Sequence, residues 1–147
     1  MNRKHTTGSR FKDLELYQQE TAFIAQEQSS LLDEAAARLS QGEPLSRLEM
    51  NGVLHAMQIL IENAIGKAKQ ILHAQGRQVP VSAYDSFSAL ASNGAISSDK
   101  VEQWRAIVGL RNRIVHDYMN IDFGMIQQLV INRQFQFVTD FLLAPLL

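Results

Sequence analysis

The spacing of helix breakers is the strongest constraint on this fold. Across 147 residues there are three prolines and eight glycines, and many of them gather at a few places: Gln41-Gly42-Glu43-Pro44, Gly76 to Pro80, and Asn93-Gly94. Between these places apolar residues recur every three or four positions with little strict alternation, which is helical periodicity. An all-α bundle of about five helices follows.

The first helix is predicted from about Phe11 to Leu39, with Leu14, Tyr17, Thr21, Ile24, Leu31 and Ala35 along one stripe. Residues 1–10 read as a polar extension and 11–147 as one domain, since 46% apolar content supports one core and the length is short for two. Ser46 and Glu49 have capping-box spacing and open a second helix. Its dense stripe, Leu54, Met57, Leu60, Ile61, Ala64, Ile65, Ala68, Ile71 and Leu72, makes it the centre of the bundle. A short third helix is expected over Ser82 to Asn93, and a fourth starts from a cap at Ser97 or Ser98 and runs through Trp104. The last is predicted as one helix, about Phe123 to Leu143, capped by Asp122. The apolar tail Leu142 to Leu147 must pack somewhere, and self-association is one way.

Composition removes several function classes. With no cysteine, disulfides, thiolate metal sites and cysteine nucleophiles are excluded. Met1 to Arg10 lacks the apolar core of a signal peptide and no run reaches membrane-spanning length, so a soluble cytoplasmic protein is expected. Net charge is −1, so any contact with RNA must come from local charge. His5, His55 and His73 lack carboxylate partners at metal-site spacing, and Ser29-Ser30 and Ser97-Ser98 lack the setting of a nucleophile elbow. Lys67 and Lys69 read as a solvated helix edge, with contact to RNA as the less common alternative.

One residue is out of place. If Trp104 to Tyr118 is a continuous helix, Arg111 falls in the middle of the stripe formed by Trp104, Ile107, Val108, Ile114, Val115 and Tyr118. A guanidinium there must recover its lost hydration from something anionic. Asn112 and His116, one turn apart, occupy a flank of that stripe within the arginine's reach. Two readings stay open: Arg111 pairs with an internal acid, Glu62 being the candidate, or it holds a phosphodiester while His116 moves protons.

Val108-Gly109-Leu110-Arg111-Asn112 followed by Val115-His116-Asp117-Tyr118 resembles the arginine, four residues, histidine, any residue, tyrosine signature of HepT toxins, helical ribonucleases of the HEPN superfamily. The likeness extends upstream through Asp85-Ser86-Phe87 and Leu90-Ala91, covering about Glu62 to Tyr118. It departs at Ile65-Gly66-Lys67-Ala68-Lys69-Gln70, where relatives often carry Ile-Asp and then histidine; Gly66 suggests close approach of another backbone.

The resemblance implies the toxin of a type VII-like toxin–antitoxin system: a metal-independent endoribonuclease, without cofactor, in which the RNA 2′-hydroxyl attacks the adjacent phosphate. His116 would be the acid or base, Arg111 the phosphate anchor and Asn112 an orienting group, with Arg113 adding charge in a symmetric homodimer. Tyr118 would be adenylylated by a cognate minimal nucleotidyltransferase antitoxin, placing a phosphate beside Arg111. Two alternatives remain: a non-catalytic HEPN module that binds nucleotide or substrate for a nucleotidyltransferase, and a structural helical dimer whose Arg111 is satisfied by Glu62.

Overall fold

The structure is a computed structural model that describes the backbone of residues 4–146 and the side chains of residues 13–146. Met1 to Arg3, the side chains of His5 and Phe11, and Leu147 of the apolar tail lie outside it. Six α-helices are formed among the described residues: α1 (Lys4–Ser40), α2 (Arg47–Ala74), α3 (Ala83–Ser92), α4 (Val101–His116), α5 (Phe123–Ile131) and α6 (Gln136–Leu143). Short 3-10 turns at Ser98–Lys100 and Tyr118–Asn120 flank α4. None of these helices is long and apolar enough to cross a membrane.

Local signals set most of the boundaries. Ser46 Oγ accepts from the Glu49 N–H while the Glu49 side chain accepts from the Ser46 N–H, so the capping box starts α2 as expected. Ser82 and Asp122 cap α3 and α5 in the same one-sided way, through the N–H groups of Asp85 and Met125. Gly76 and Gly94, at φ +70 and +82, end α2 and α3 in the left-handed conformation that a side chain would disfavour. α1 begins at Lys4, seven residues before the predicted start, since nothing between Lys4 and Phe11 breaks a helix except Gly8.

Helix α2 is the hub. It packs on α1, α3, α4 and α6, and α1 also covers α5 and α6. Leu54, Leu60, Leu72, Leu90, Ile126, Val138 and Leu142 are sealed in the core. Phe87 of α3 stacks on Trp104 of α4 with ring centroids 4.0 Å apart, and Phe137 and Phe141 of α6 meet Trp104 edge-on at 5.0 Å each. Such pairs add about 0.5–1.5 kcal/mol each beyond the area they bury. The tail packs on its own chain: Leu142 is buried and Leu146 rests against the core.

Three expectations are corrected. The last helix is broken in two, because Asn132 closes α5 and Arg133 turns left-handed at φ 52, its N–H and that of Gln134 reaching back to Val130 and Leu129. Arg133 takes the place usually given to glycine and ion-pairs with Asp33 of α1. Lys67 is not on a solvated edge. It is buried, with Nζ donating to the carbonyls of Phe141 at 2.7 Å and Leu142 at 3.2 Å and to that of Ala144, so it caps the end of α6 from inside the core. Gly66 is approached by a side chain: the Tyr17 hydroxyl lies 3.4 Å from where a Cβ would sit.

Candidate active site

Helix α4 rotates its buried face along its length. Trp104 stacks on Phe87 of α3 and Val108 is buried one turn on, whereas Leu110 lines one small cavity with Met57, Leu60 and Ile61 of α2, and Ile114 is buried as well. The rotation leaves Arg111 at an edge instead of the middle of a buried stripe, and its side chain is 22% exposed. Val115, expected on the stripe, is exposed for the same reason.

The guanidinium leans onto α2. Arg111 Nη1 donates to both carboxylate oxygens of Glu62, at 3.2 and 3.4 Å. Its Nε is buried without an acceptor among the described residues, so one carboxylate does not satisfy all five of its donors. The predicted pair with Glu62 is therefore formed, and it leaves hydrogen-bonding capacity over.

Asn112, Arg113 and His116 are exposed, and among the described residues their side chains form no hydrogen bond with Arg111. Five helical positions rotate His116 by roughly 140° from Arg111. A single chain thus puts Arg111 on the α2 seam and Asn112 with His116 on the solvent flank, correcting the expectation that all three converge on one edge. Arg113 borders an open groove of about 750 Å³ between α4 and the α5–α6 arm, floored by Ile107, Leu110, Met125, Leu129 and Phe137.

Tyr118 has left the helix. α4 stops at His116 because Asp117 adopts φ −141 and ψ 38, and the Asp117 carboxylate accepts from the Asn120 amide at 2.6 Å to shape the turn. The Tyr118 ring is 40% exposed and its hydroxyl donates to Oδ1 of Asn51 on α2. Asn51 was not singled out from sequence. The signal was there in spacing: Asn51, His55, Gln58 and Glu62 fall within roughly 60° of one another on α2, one polar stripe along the seam. Around the turn Val115, Met119 and Phe123 are also exposed, Met119 by 90%. Among the described residues no three histidines or acids group as metal ligands would.

Comparison with known proteins gives this arrangement a context. Residues 25–142 match the family model described as HepT-like, Ribonuclease HepT-like. Over 80 residues the chain is 32% identical to the mRNA nuclease HepT of Shewanella oneidensis; the match covers 54% of this chain and 60% of that relative's length. In fold it is similar to a chain of a toxin–antitoxin complex crystallised with AMP-PNP, with TM-score 0.72, 21% identity, and coverage of 86% of this chain and 97% of that one. It is also similar to a chain of the tri-AMPylated Shewanella oneidensis HEPN toxin in complex with MNT antitoxin, with TM-score 0.62, 25% identity, and coverage of 80% and 95%. A match spanning the α1 core through α6, with the arginine, histidine and tyrosine on and just beyond α4, leads to one conclusion: the chain belongs to the Ribonuclease HepT-like family.

Proposed function

We propose that this protein is the toxin of a toxin–antitoxin pair, an endoribonuclease acting as a homodimer and silenced when a nucleotidyltransferase antitoxin adenylylates Tyr118. The observation that carries the reading is the Arg111, His116, Tyr118 series on and just past α4 in a chain of this family, with His116 exposed and the Tyr118 ring partly so. The relative named as an mRNA nuclease and the AMPylated toxin bound to its antitoxin support it. Residues 11–147 are taken as the working unit, with 1–10 an extension, in a soluble cytoplasmic protein.

In cleavage, the RNA 2′-oxygen bonds to phosphorus as the bond to the 5′-oxygen breaks, leaving a 2′,3′-cyclic phosphate and a 5′-hydroxyl. His116 moves one of the protons, Arg111 holds the phosphate and steadies its developing charge, and Asn112 orients the group at His116. Arg113 adds positive charge beside them. The second copy is needed because one chain separates Arg111 from His116, and the exposed Val115, Met119 and Phe123 offer an apolar face for it.

Silencing follows from the position of Tyr118. Its contact on α2 is at Asn51 and that of Arg111 is at Glu62, so the two are anchored roughly 16 Å apart along the helix. An adenylyl group on Tyr118 therefore starts at the Asn51 end of the seam, away from the Arg111 of its own chain, which corrects the expectation that it lies beside that arginine. Incubation of the protein with RNA should give 5′-hydroxyl ends, and cleavage unchanged in His116→Ala would overturn the assignment. The Arg111–Glu62 pair favours a second reading, a structural arginine in a non-catalytic helical dimer. Under that reading Glu62→Gln unfolds the protein, and RNA is left intact.

A further inference from the structure

Arg113 stands both in the motif stretch of α4 and in the wall of the groove between α4 and the α5–α6 arm. His116 follows on the same exposed flank, roughly 60° around the helix from Arg113 and 20° from Gly109, which also lines the groove. The groove therefore continues the surface on which His116 stands. Val115, on the face offered to a second copy, lies roughly 160° around α4 from Arg113, so pairing through Val115 leaves the groove open.

The volume of about 750 Å³ is that of a small-ligand pocket, a class that runs from about 300 to 1,000 Å³. Arg113, Arg133, Gln103 and Gln134 border the apolar floor, and no carboxylate is among the described residues that line it. Arg133 is engaged with Asp33 of α1, whereas Arg113 forms no ion pair among the described residues. An unpaired guanidinium beside the exposed Met125 and the partly buried Phe137 suits one nucleotide unit: a cation for the phosphate, apolar and aromatic surface for the face of the base, and side-chain amides for its edge. A second copy of the same groove is a poorer occupant, because two-fold pairing there would gather the arginines of both copies into one interface without a lining acid.

We propose that this groove is a base-binding subsite of the ribonuclease, holding an unpaired nucleotide next to the phosphodiester that is cut at His116. The inference rests on the ribonuclease reading. The base lies on Met125 and Phe137, with Gln103 and Gln134 at its edge, and Arg113 meets the phosphate between the groove and His116. The enzyme accordingly takes single-stranded RNA, since a base held in a duplex cannot lay its face on a protein surface.

The test compares, by fluorescence anisotropy, two strands that cannot be cleaved because their 2′-oxygens are methylated: a short 2′-O-methyl oligouridylate and the same backbone without bases. The parent should bind the base-bearing strand about 5- to 150-fold more tightly, the span covered by stacking of one base. Ala106→Leu fills the groove from an exposed position and Met125→Ala removes part of its floor. Both should erase most of that preference and raise KM for a defined single-stranded RNA with kcat held, while melting point and sedimentation match the parent. In the parent, the methyl resonance of Met125 should shift with oligouridylate and stay in place with the abasic strand. Variants that keep the parent's preference, or a Met125 resonance that oligouridylate does not move, overturn the subsite while the ribonuclease reading stands. A shift of Ala106→Leu toward monomer makes the groove an interface between copies and overturns the subsite as well. A parent that cleaves no RNA overturns both.

Discussion

Glu62 is where the two accounts of Arg111 part. The pair it forms is partly solvated, with side chains 22% and 43% exposed, and pairs of that kind contribute about 0–1 kcal/mol. Glu62→Gln is accordingly expected to cost no more than about 1 kcal/mol by urea denaturation while cleavage persists, which separates an anchor held in waiting from a structural arginine. Lys67 works at the opposite extreme of burial. Loss of hydration pulls its ammonium down to about 8 from the usual 10.5. At neutral pH it is still charged and still donates to the end of α6. Between these two values the unfolded chain binds the proton and the folded chain sheds it, so stability rises with pH across that window; below about 8 the penalty is present in full. Lys67→Met should flatten this rise, as read from urea midpoints measured through the window.

At the scale of the element, the turn between α5 and α6 is the clearest case of strain. A non-glycine residue in the left-handed region costs about 1–2 kcal/mol, which at Arg133 is offset in part by its ion pair with Asp33. Arg133→Val should lose about 1–2 kcal/mol more, because a branched Cβ tolerates that conformation worse, whereas Arg133→Gly should hold or raise the melting temperature. Within α2, Gly66→Ala should gain about 0.5–1 kcal/mol of helix stability, since the Tyr17 hydroxyl at 3.4 Å stands at ordinary contact distance. What could be read from the sequence at this scale divides along physical lines. The Ser46 and Glu49 box, the Ser82 cap and the Gly76 and Gly94 stops were legible because each is settled within a few residues of chain. The break at Arg133 and the burial of Lys67 were not, because their partners, Asp33 and the carbonyls of α6, lie far away in sequence. The same divide runs through the site. The signature residues of α4 stand out by type and spacing, while Asn51 acquires a meaning only once α2 is laid against the turn after α4.

For the whole molecule, the exposed apolar residues at the end of α4 predict its assembly. Met119 is 90% exposed beside Val115 and Phe123, so Met119→Glu should change the stability of the fold by no more than about 0.5 kcal/mol. Sedimentation should show a shift toward monomer, and cleavage should fall with it, if the two copies share one site. A fall in cleavage without loss of the dimer would place Met119 against RNA instead.

The hook that Lys67 makes on α6 also has a consequence for how the protein comes into being. The lysine belongs to the central helix, and its acceptors are the carbonyls of residues 141, 142 and 144. A nascent chain can wind α2, α3 and α4 early, but its central lysine stays hydrated until residue 144 has cleared the ribosome. Closure of the bundle thus waits until the end of α6 is available to the lysine.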